Sequence, residues 1–143
     1  MKLLRKLVLY CAVLFGCLLT LGYISNWLTR DKCEAQVARR MLDDFGLGQI
    51  PLYQINLMPP FPAAAADVFR AAGLKISECG PERLRTHGCF PWAEMNSRNL
   101  VPFVVTIRWA CADAPLSGGA KLSTFVCLFG KMIRISEEDL LVS

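Results

Sequence analysis

The chain has 143 residues, of which 54% are hydrophobic and 20% are charged, and its formal net charge is +4. This length excludes a multidomain enzyme, and the high apolar content excludes a wholly disordered chain. The positive charge resides in residues 1–32, because residues 33–143 carry eleven basic and eleven acidic side chains. A nucleic-acid-binding domain, which needs a positive field of its own, is therefore also excluded.

An apolar segment near the N-terminus predicts a membrane helix. Residues 7–28 carry no charge, and as a helix they extend roughly 33 Å, close to the ~30 Å hydrocarbon core of a bilayer. Three basic residues precede the segment and charges of both signs follow it, so the positive-inside rule places the N-terminus in the cytoplasm. We predict a cytoplasmic basic tail (1–6), a single-pass signal anchor in the cell membrane (7–28) and an exported periplasmic or extracellular domain (29–143).

Two kinds of processing are alternatives to the uncleaved anchor. Small residues at Thr20 and Gly22 fit signal-peptidase cleavage before Tyr23. Lipidation of Cys17 is the second alternative, but bulky Phe15 before it and the apolar residues after it argue against such a site. The uncleaved anchor is the favoured interpretation.

Five cysteines lie in the predicted exported domain, where an oxidising compartment favours disulfides. They are Cys33, Cys79, Cys89, Cys111 and Cys127. Cys79 and Cys89 enclose a stretch rich in turn-forming residues and are the favoured pair, whereas the pairing of the other three stays open. A Cys111–Cys127 bond is excluded, because the predicted hairpin sets Cys127 opposite Val105, roughly 20 Å along the strand from Cys111.

The first half of the exported domain predicts two helices and a strand. A capping box at Asp31 and Glu34 predicts a helix start, followed by apolar residues at helical spacing: Cys33, Val37, Met41, Leu42 and Phe45. This helix either continues the membrane helix or packs on the domain after a kink. Residues 52–57 predict a strand that buries Tyr53, Ile55 and Leu57.

A second helix is predicted between Pro62 and Gly73, with a face of small residues: Ala64, Ala65, Val68, Ala71 and Ala72. Residues 78–100 show turn chemistry and are predicted to be an irregular loop.

The last third of the chain predicts three antiparallel strands. The runs VPFVVTIRWAC, KLSTFVCLFG and KMIRIS are rich in β-branched and aromatic residues. Their odd-numbered residues, which include Ile133 and Ile135 in the third run, are expected to face the core. The even-numbered face carries either scattered surface residues or a patch for a partner: Val104, Val126, Leu128 and Met132. The expected fold is α+β, with two helices on a three- to four-stranded antiparallel sheet behind the membrane helix.

No motif identifies a protein family, and no spacing indicates a metal or another cofactor. The favoured hypothesis is a non-catalytic interaction or accessory subunit of the cell envelope. Its expected partners are the lipid bilayer and another envelope protein or a second copy of itself, without nucleic acid.

Two alternative functions remain open. A small apolar ligand could bind on a surface, equally suited to a partner, that is formed by aromatic residues: Phe90, Trp92, Phe103, Trp109 and Phe125. A thiol enzyme would use Cys89 as its nucleophile and His87 as its base, but adjacent spacing in one loop is weak support.

Overall fold

The structure, a computed structural model, describes residues 2–44, 53–80, 91–114 and 117–141, with the side chains at 2, 111–114, 117–119 and 141 left aside. Its elements in chain order are α1 (Lys2–Asp44), β1 (Gln54–Leu57), α2 (Ala63–Ala71), β2 (Lys75–Glu78), β3 (Trp92–Arg98), β4 (Phe103–Ala114), β5 (Ser117–Leu128) and β6 (Lys131–Leu141). The α+β class and the long apolar N-terminal helix are confirmed.

The sheet is larger and more mixed than the sequence predicted. Six strands lie in the order β2-β1-β3-β4-β5-β6. β1 runs parallel to both β2 and β3, and the remaining neighbours are antiparallel. The prediction of three to four antiparallel strands is wrong because β2 and β3 were missed. β3 lies within the predicted irregular loop, where Ala93 and Met95 are buried between outward polar residues and few residues are β-branched.

The core lies between one face of the sheet and the two helices. Six of the odd-numbered residues predicted to face it are buried there: Phe103, Val105, Ile107, Trp109, Phe125 and Cys127. Phe129, predicted for the same face, instead lies in the turn after β5 and is 67% exposed. Val37 and Met41 from α1 and Phe69 from α2 belong to the same apolar cluster. Burial of these large side chains supplies the main driving force that holds the helices on the sheet.

The prediction that the odd-numbered residues of the third strand face the core is wrong. Phe125 pairs with Arg134, while the preceding Thr124 pairs with Ser136, so β6 carries a β-bulge there. Leu128 pairs with Lys131 across a two-residue turn, so Ile133 lies opposite Val126 on the outer face and Met132 lies opposite Cys127. Ile133 is accordingly 63% exposed, whereas Met132, expected on the outer face, packs against the core. Ile135 is the unpaired residue of the bulge and is 61% exposed.

α1 is one unbroken helix, so the predicted helix start at Asp31 is wrong. Cys33, Val37 and Met41 are buried, as the helical spacing predicted, and Phe45 lies outside the described residues. Of the two alternatives for this segment, the first holds: the apolar helix continues without a break, and its continuation packs on the domain. Glu34 does not cap a helix but pairs with Arg30 one turn earlier.

Predictions for β1 and α2 hold in part. Ile55 and Leu57 are buried, but Tyr53 is exposed. α2 follows Pro62, and Gly73 adopts a positive φ of 83° just after the helix ends. Its buried side is formed by Ala65, Ala66 and Phe69 instead of the predicted small-residue face, since the large Phe69 ring sets which side is buried.

Candidate membrane and partner interfaces

The N-terminal half of α1 is apolar and exposed. Every described side chain from Leu3 to Leu21 is exposed, and the first buried residue is Gly22. The helix reaches a mean hydropathy of 2.3 over its most apolar window, and it is long and apolar enough to cross a membrane. A signal sequence near the N-terminus would have the same properties. Arg5 and Lys6 are charged, so the uncharged run begins at Leu7, and residues 7–28 extend roughly 33 Å against the ~30 Å hydrocarbon core of a bilayer.

The turn between β3 and β4 docks on α1 where the exposed half ends. The Asn26 side-chain amide is buried and donates to the Leu100 carbonyl oxygen at 2.8 Å. Asn99 Nδ2 donates to the Tyr23 hydroxyl at 3.3 Å. A Cβ atom on Gly22 would lie 3.0 Å from Val101 Cγ1, so the glycine permits the close approach. The turn therefore lies level with the last residues of the apolar run 7–28.

The turn between β5 and β6 docks further along the same helix. A Cβ atom on Gly130, whose φ is +74°, would lie 3.5 Å from Thr29 Cγ2. The Gln36 side-chain amide donates to the Gly130 carbonyl oxygen at 3.3 Å. Phe129, at the tip of this turn, is 67% exposed.

Apolar side chains at these two turns share the end of the domain that lies beside the apolar half of α1. We call this group the membrane-proximal edge: Trp27, Leu100, Val101 and Phe129, all of them exposed. Sequence reasoning missed its last three members. The available signal was their position, because large apolar residues in the turn sequences NLVP and LFGK have no core to face.

A second exposed apolar group lies on the outer edge of the sheet. β6 is an edge strand, so one side of its backbone has no strand partner in the described sheet. Ile133 pairs with Val126 of β5, and Leu128 pairs with Lys131 at the start of β6. We call Leu128, Ile133 and Ile135 the edge patch; all three are exposed, and half-buried Val126 adjoins them.

A groove of about 370 Å³ with a mixed polar and apolar lining lies between α1, the β1–α2 connection and β3. Arg30 forms part of its wall together with Phe61 and residues 94–97. The Arg30 guanidinium is already engaged, because Nε lies 2.9 Å from Glu34 Oε1 and Nη2 donates to Ser97 Oγ at 3.1 Å. Glu34 is only 2% exposed, so Arg30 compensates a buried carboxylate.

The aromatic residues predicted as a ligand or partner surface do not come together on a surface. Phe103, Trp109 and Phe125 are buried in the core between the helices and the sheet. Trp92 is buried on the other face in a small cluster with Ala110 and Ala120. Phe90 lies outside the described residues.

The five cysteines that follow residue 28 divide into three groups, whereas Cys11 and Cys17 are exposed free thiols on the apolar half of α1. Cys79 is fully buried and disulfide-bonded, and its partner lies outside the side chains that are described. The predicted partner Cys89, together with His87, falls in the segment 81–90 that the structure leaves undescribed, and the side chain of Cys111 is likewise left aside. Cys33 and Cys127 are free thiols buried in the core.

Burial raises the pKa of the Cys127 thiol, and its hydrogen-bonded contact with the Cys33 thiol raises it further. Spacing along the chain could not reveal this contact, since it joins a helix to a strand 94 residues later.

Among the residues that the structure describes, no three or more His, Cys, Asp or Glu side chains form a group that could hold a metal ion. The arrangement offers instead an apolar helix, an apolar edge beside it and an open strand. Comparison with protein-family models, curated proteins and solved structures finds no significant match to this chain.

Proposed function

We propose that this protein is a single-pass membrane protein of the cell envelope whose exported domain acts, without catalysis, as an interaction or accessory subunit. One observation carries the proposal: the helix that is uncharged and exposed over residues 7–21 is the same helix that contributes Val37 and Met41 to the domain core. A domain built in this way is held at the bilayer surface and not on a flexible tether.

The uncleaved anchor is supported by the course of α1. Signal-peptidase cleavage before Tyr23 would separate the chain at a position inside a continuous helix. It would also remove Gly22, which lies against Val101. The N-terminus remains cytoplasmic in this proposal, because Lys2, Arg5 and Lys6 precede the apolar segment.

The lipid bilayer is the first proposed partner. The membrane-proximal edge presents Leu100, Val101 and Phe129 to the side from which the apolar half of α1 extends. Trp27 and Tyr23 lie on α1 at the same level, where amphipathic rings favour the membrane–water interface. The two turns thus rest in the outer headgroup region and fix the domain against the membrane.

A second membrane-anchored envelope protein is the proposed protein partner, and it docks on the edge patch and the open side of β6. Edge strands recruit an added strand through their unpaired backbone groups, and adjoining apolar side chains give the contact specificity. Because β6 starts beside Thr29 and Gln36, just beyond the membrane, the partner must itself be held near the bilayer.

Cross-linking in intact membranes tests this partner. A photoreactive phenylalanine analogue replaces Ile135 in one full-length variant and Asp67, which is exposed on α2, in the control variant. We expect one recurring adduct with another envelope membrane protein from position 135 and none from position 67. An adduct of the chain with itself would make the partner a second copy. Identical patterns from both positions, or none, would refute the interface.

Orientation and pairing have separate tests. A reporter enzyme that is active only after export, fused behind Ser143, should be active, and an inactive fusion would reverse the proposed topology.

We further propose that Cys79 pairs with Cys89, and that this bond closes the turn-rich segment between them into a loop. A linked pair of tryptic peptides 76–83 and 86–98 is expected, whereas linkage of 76–83 to 109–121 would assign the bond to Cys111 instead.

A further inference from the structure

Two cysteines from distant parts of the chain meet in the core. Cys33 lies on the domain-side half of α1 and Cys127 lies on β5, and each is 1% exposed. Their thiols are in hydrogen-bonded contact, and both side chains belong to the cluster that also contains Val37 and Phe125. The contact is therefore part of the packing between α1 and the sheet.

Neighbouring contacts fix the same register between helix and strand. The β5–β6 turn follows Cys127 by three residues, and its Gly130 lies against Thr29 and Lys32 of α1. Gln36 reaches the Gly130 carbonyl oxygen from the next turn of the helix. Cys33 lies between Lys32 and Gln36 in sequence. The contacts that hold Gly130 against α1 therefore also hold Cys33 near Cys127.

We propose that Cys33 and Cys127 form a disulfide in the mature protein, which links the membrane helix covalently to the sheet. This inference rests on the export proposed above, because only an oxidising compartment sustains such a bond. Closing the bond brings the two sulfur atoms from hydrogen-bonded contact to ~2.05 Å.

The oxidant is a disulfide-bearing thiol oxidase of the receiving compartment. One cysteine, as thiolate, attacks the oxidase disulfide, and a mixed disulfide forms as one oxidase sulfur leaves. The second cysteine then attacks the first cysteine's sulfur and releases the other oxidase sulfur. Two S–H bonds of this chain are exchanged for one S–S bond, and the oxidase takes up two electrons and two protons as a dithiol.

The burial of both thiols sets when this step takes place. In the folded domain an oxidase cannot reach them, and the raised pKa of Cys127 keeps the attacking thiolate scarce. The bond therefore forms during folding, before α1 docks on the sheet. Once closed, it is shielded from reductants by the same packing.

Peptide mapping of the full-length protein purified from membranes tests the proposal. Free thiols are blocked with a maleimide in denaturant before any reduction, and the protein is then cleaved with trypsin. Cys33 is the sole cysteine of peptide 33–39 and Cys127 is the sole cysteine of peptide 122–131. We expect these peptides as a linked pair, two hydrogens lighter than their sum, that disappears on reduction.

Matched variants assign the link. Cys33→Ala should abolish the pair and leave Cys127 fully blocked by the maleimide, whereas Cys17→Ala, within the exposed apolar half of α1, should leave the pair intact. Persistence of an oxidised Cys127 in the Cys33→Ala variant would mean that Cys127 has another partner and would overturn the proposal.

The peptide that contains Cys79 separates two kinds of failure. If peptide 76–83 is disulfide-linked while Cys33 and Cys127 are both blocked, export stands and the proposed bond is refuted. If all five cysteines beyond the membrane segment are blocked by the maleimide, the bond fails together with the exported location. A linked pair of 33–39 and 122–131 supports both.

Discussion

Glu34 is a carboxylate almost completely buried on the side of α1 that faces the domain. Arg30, whose side chain is about half exposed, supplies its counter-charge from one turn earlier at 2.9 Å. Burying a charge is tolerated when a partner and hydrogen bonds compensate it, and removal of that partner leaves the charge unpaired. The pair lies on the part of α1 that packs on the sheet, so loss of Arg30 is expected to weaken the packing of α1 on the domain.

Arg30→Ala is expected to lower the free energy of unfolding of the domain by about 2 kcal/mol, less than for a fully buried pair because solvent screens the guanidinium. Urea unfolding of the full-length protein in detergent measures this change. Arg70→Ala is the matched control, since Arg70 pairs with Asp67 on α2 where both side chains are largely exposed. An equal loss in both variants would contradict a buried role for Glu34.

Glu137 and Lys121 form a second ion pair, across the neighbouring strands β6 and β5, with Nζ and Oε1 at 2.9 Å. The hydrogen bond from Lys121 lowers the pKa of Glu137, and the same bond raises the pKa of Lys121. A lowered folded-state pKa gives stabilisation that is present above the ordinary carboxyl value and is lost as the pH falls through the folded value. For Lys121 the stabilisation is present below its ordinary value and is lost in strong alkali.

Glu137→Gln is therefore expected to flatten the dependence of unfolding free energy on pH in the acid range, below about pH 4.5. At neutral pH the loss should stay below about 1 kcal/mol, because the pair is partly exposed. Urea midpoints measured from about pH 7 down to about pH 3 give the slope. Glu138→Gln is the control, because Glu138 lies opposite Leu122. An unchanged acid slope in Glu137→Gln would refute the assignment.

At the scale of elements, α1 is held to the sheet by two turns at different heights. The β3–β4 turn contacts Gly22, Tyr23 and Asn26, and the β5–β6 turn contacts the helix from Thr29 onward. At both contacts a glycine allows the turn and the helix to approach closely: Gly22 lies against Val101, and Gly130 lies against Thr29. The first of them is the contact nearest to the proposed membrane surface.

Gly22→Leu is expected to push the β3–β4 turn away from α1, because even a Cβ atom would lie 3.0 Å from Val101 Cγ1. Overpacking of this kind costs roughly 1–3 kcal/mol. Hydrogen exchange should rise at the amides of residues 99–101 while the core strands β4 and β5 stay protected. Gly16→Leu is the control, since nothing lies within 4 Å of a Cβ atom there. Unchanged exchange in Gly22→Leu would show that the turn is not docked.

Periodicity was enough to predict some of these elements but not others. β4 and β5 were predictable because Phe103, Val105 and Phe125 repeat at the spacing of a strand with one buried face. β3 was not, since it contains no β-branched residue and lies in a stretch rich in turn-forming residues. The two-residue turn after Leu128 sets Ile133 opposite the outward Val126, and the alternation within β6 does not encode that register.

The candidate interfaces were predictable only in part for a related reason. The apolar run 7–28 reveals the helix directly, because its composition alone separates it from a domain helix. The membrane-proximal edge and the Cys33–Cys127 contact arise when segments far apart in sequence come together. Their recognition needs the relative placement of α1 and the hairpins, which tertiary packing sets.

At the scale of the whole molecule, the proposed depth of α1 in the bilayer decides which residues of the chain contact lipid. Trp27 is 66% exposed, whereas Trp92 and Trp109 are each 8% exposed, so Trp27 is the tryptophan that lipid can reach directly. The proposed interface places it at headgroup depth.

Vesicles that contain lipids brominated near the headgroup should quench the emission of Trp27 in the reconstituted full-length protein. Trp27→Phe should remove the quenched component and leave the emission of the two buried tryptophans. Quenching by lipids brominated at the chain ends, and not by the headgroup-proximal lipids, would place Trp27 too deep for the proposed level. Absence of any quenching would place the membrane boundary nearer to the N-terminus.

The unbroken course of α1 has a mechanical consequence. About 35 Å of helix, residues 22–44, extends beyond the exposed apolar half, and the helix is continuous between the two parts. If, in the proposed membrane placement, the bilayer thins or thickens and the helix tilts by ~20°, the far end of the helix is displaced sideways by roughly 12 Å. In the proposed membrane placement, such a helix converts a change in membrane thickness into lateral displacement, and the partner proposed for β6 moves with it.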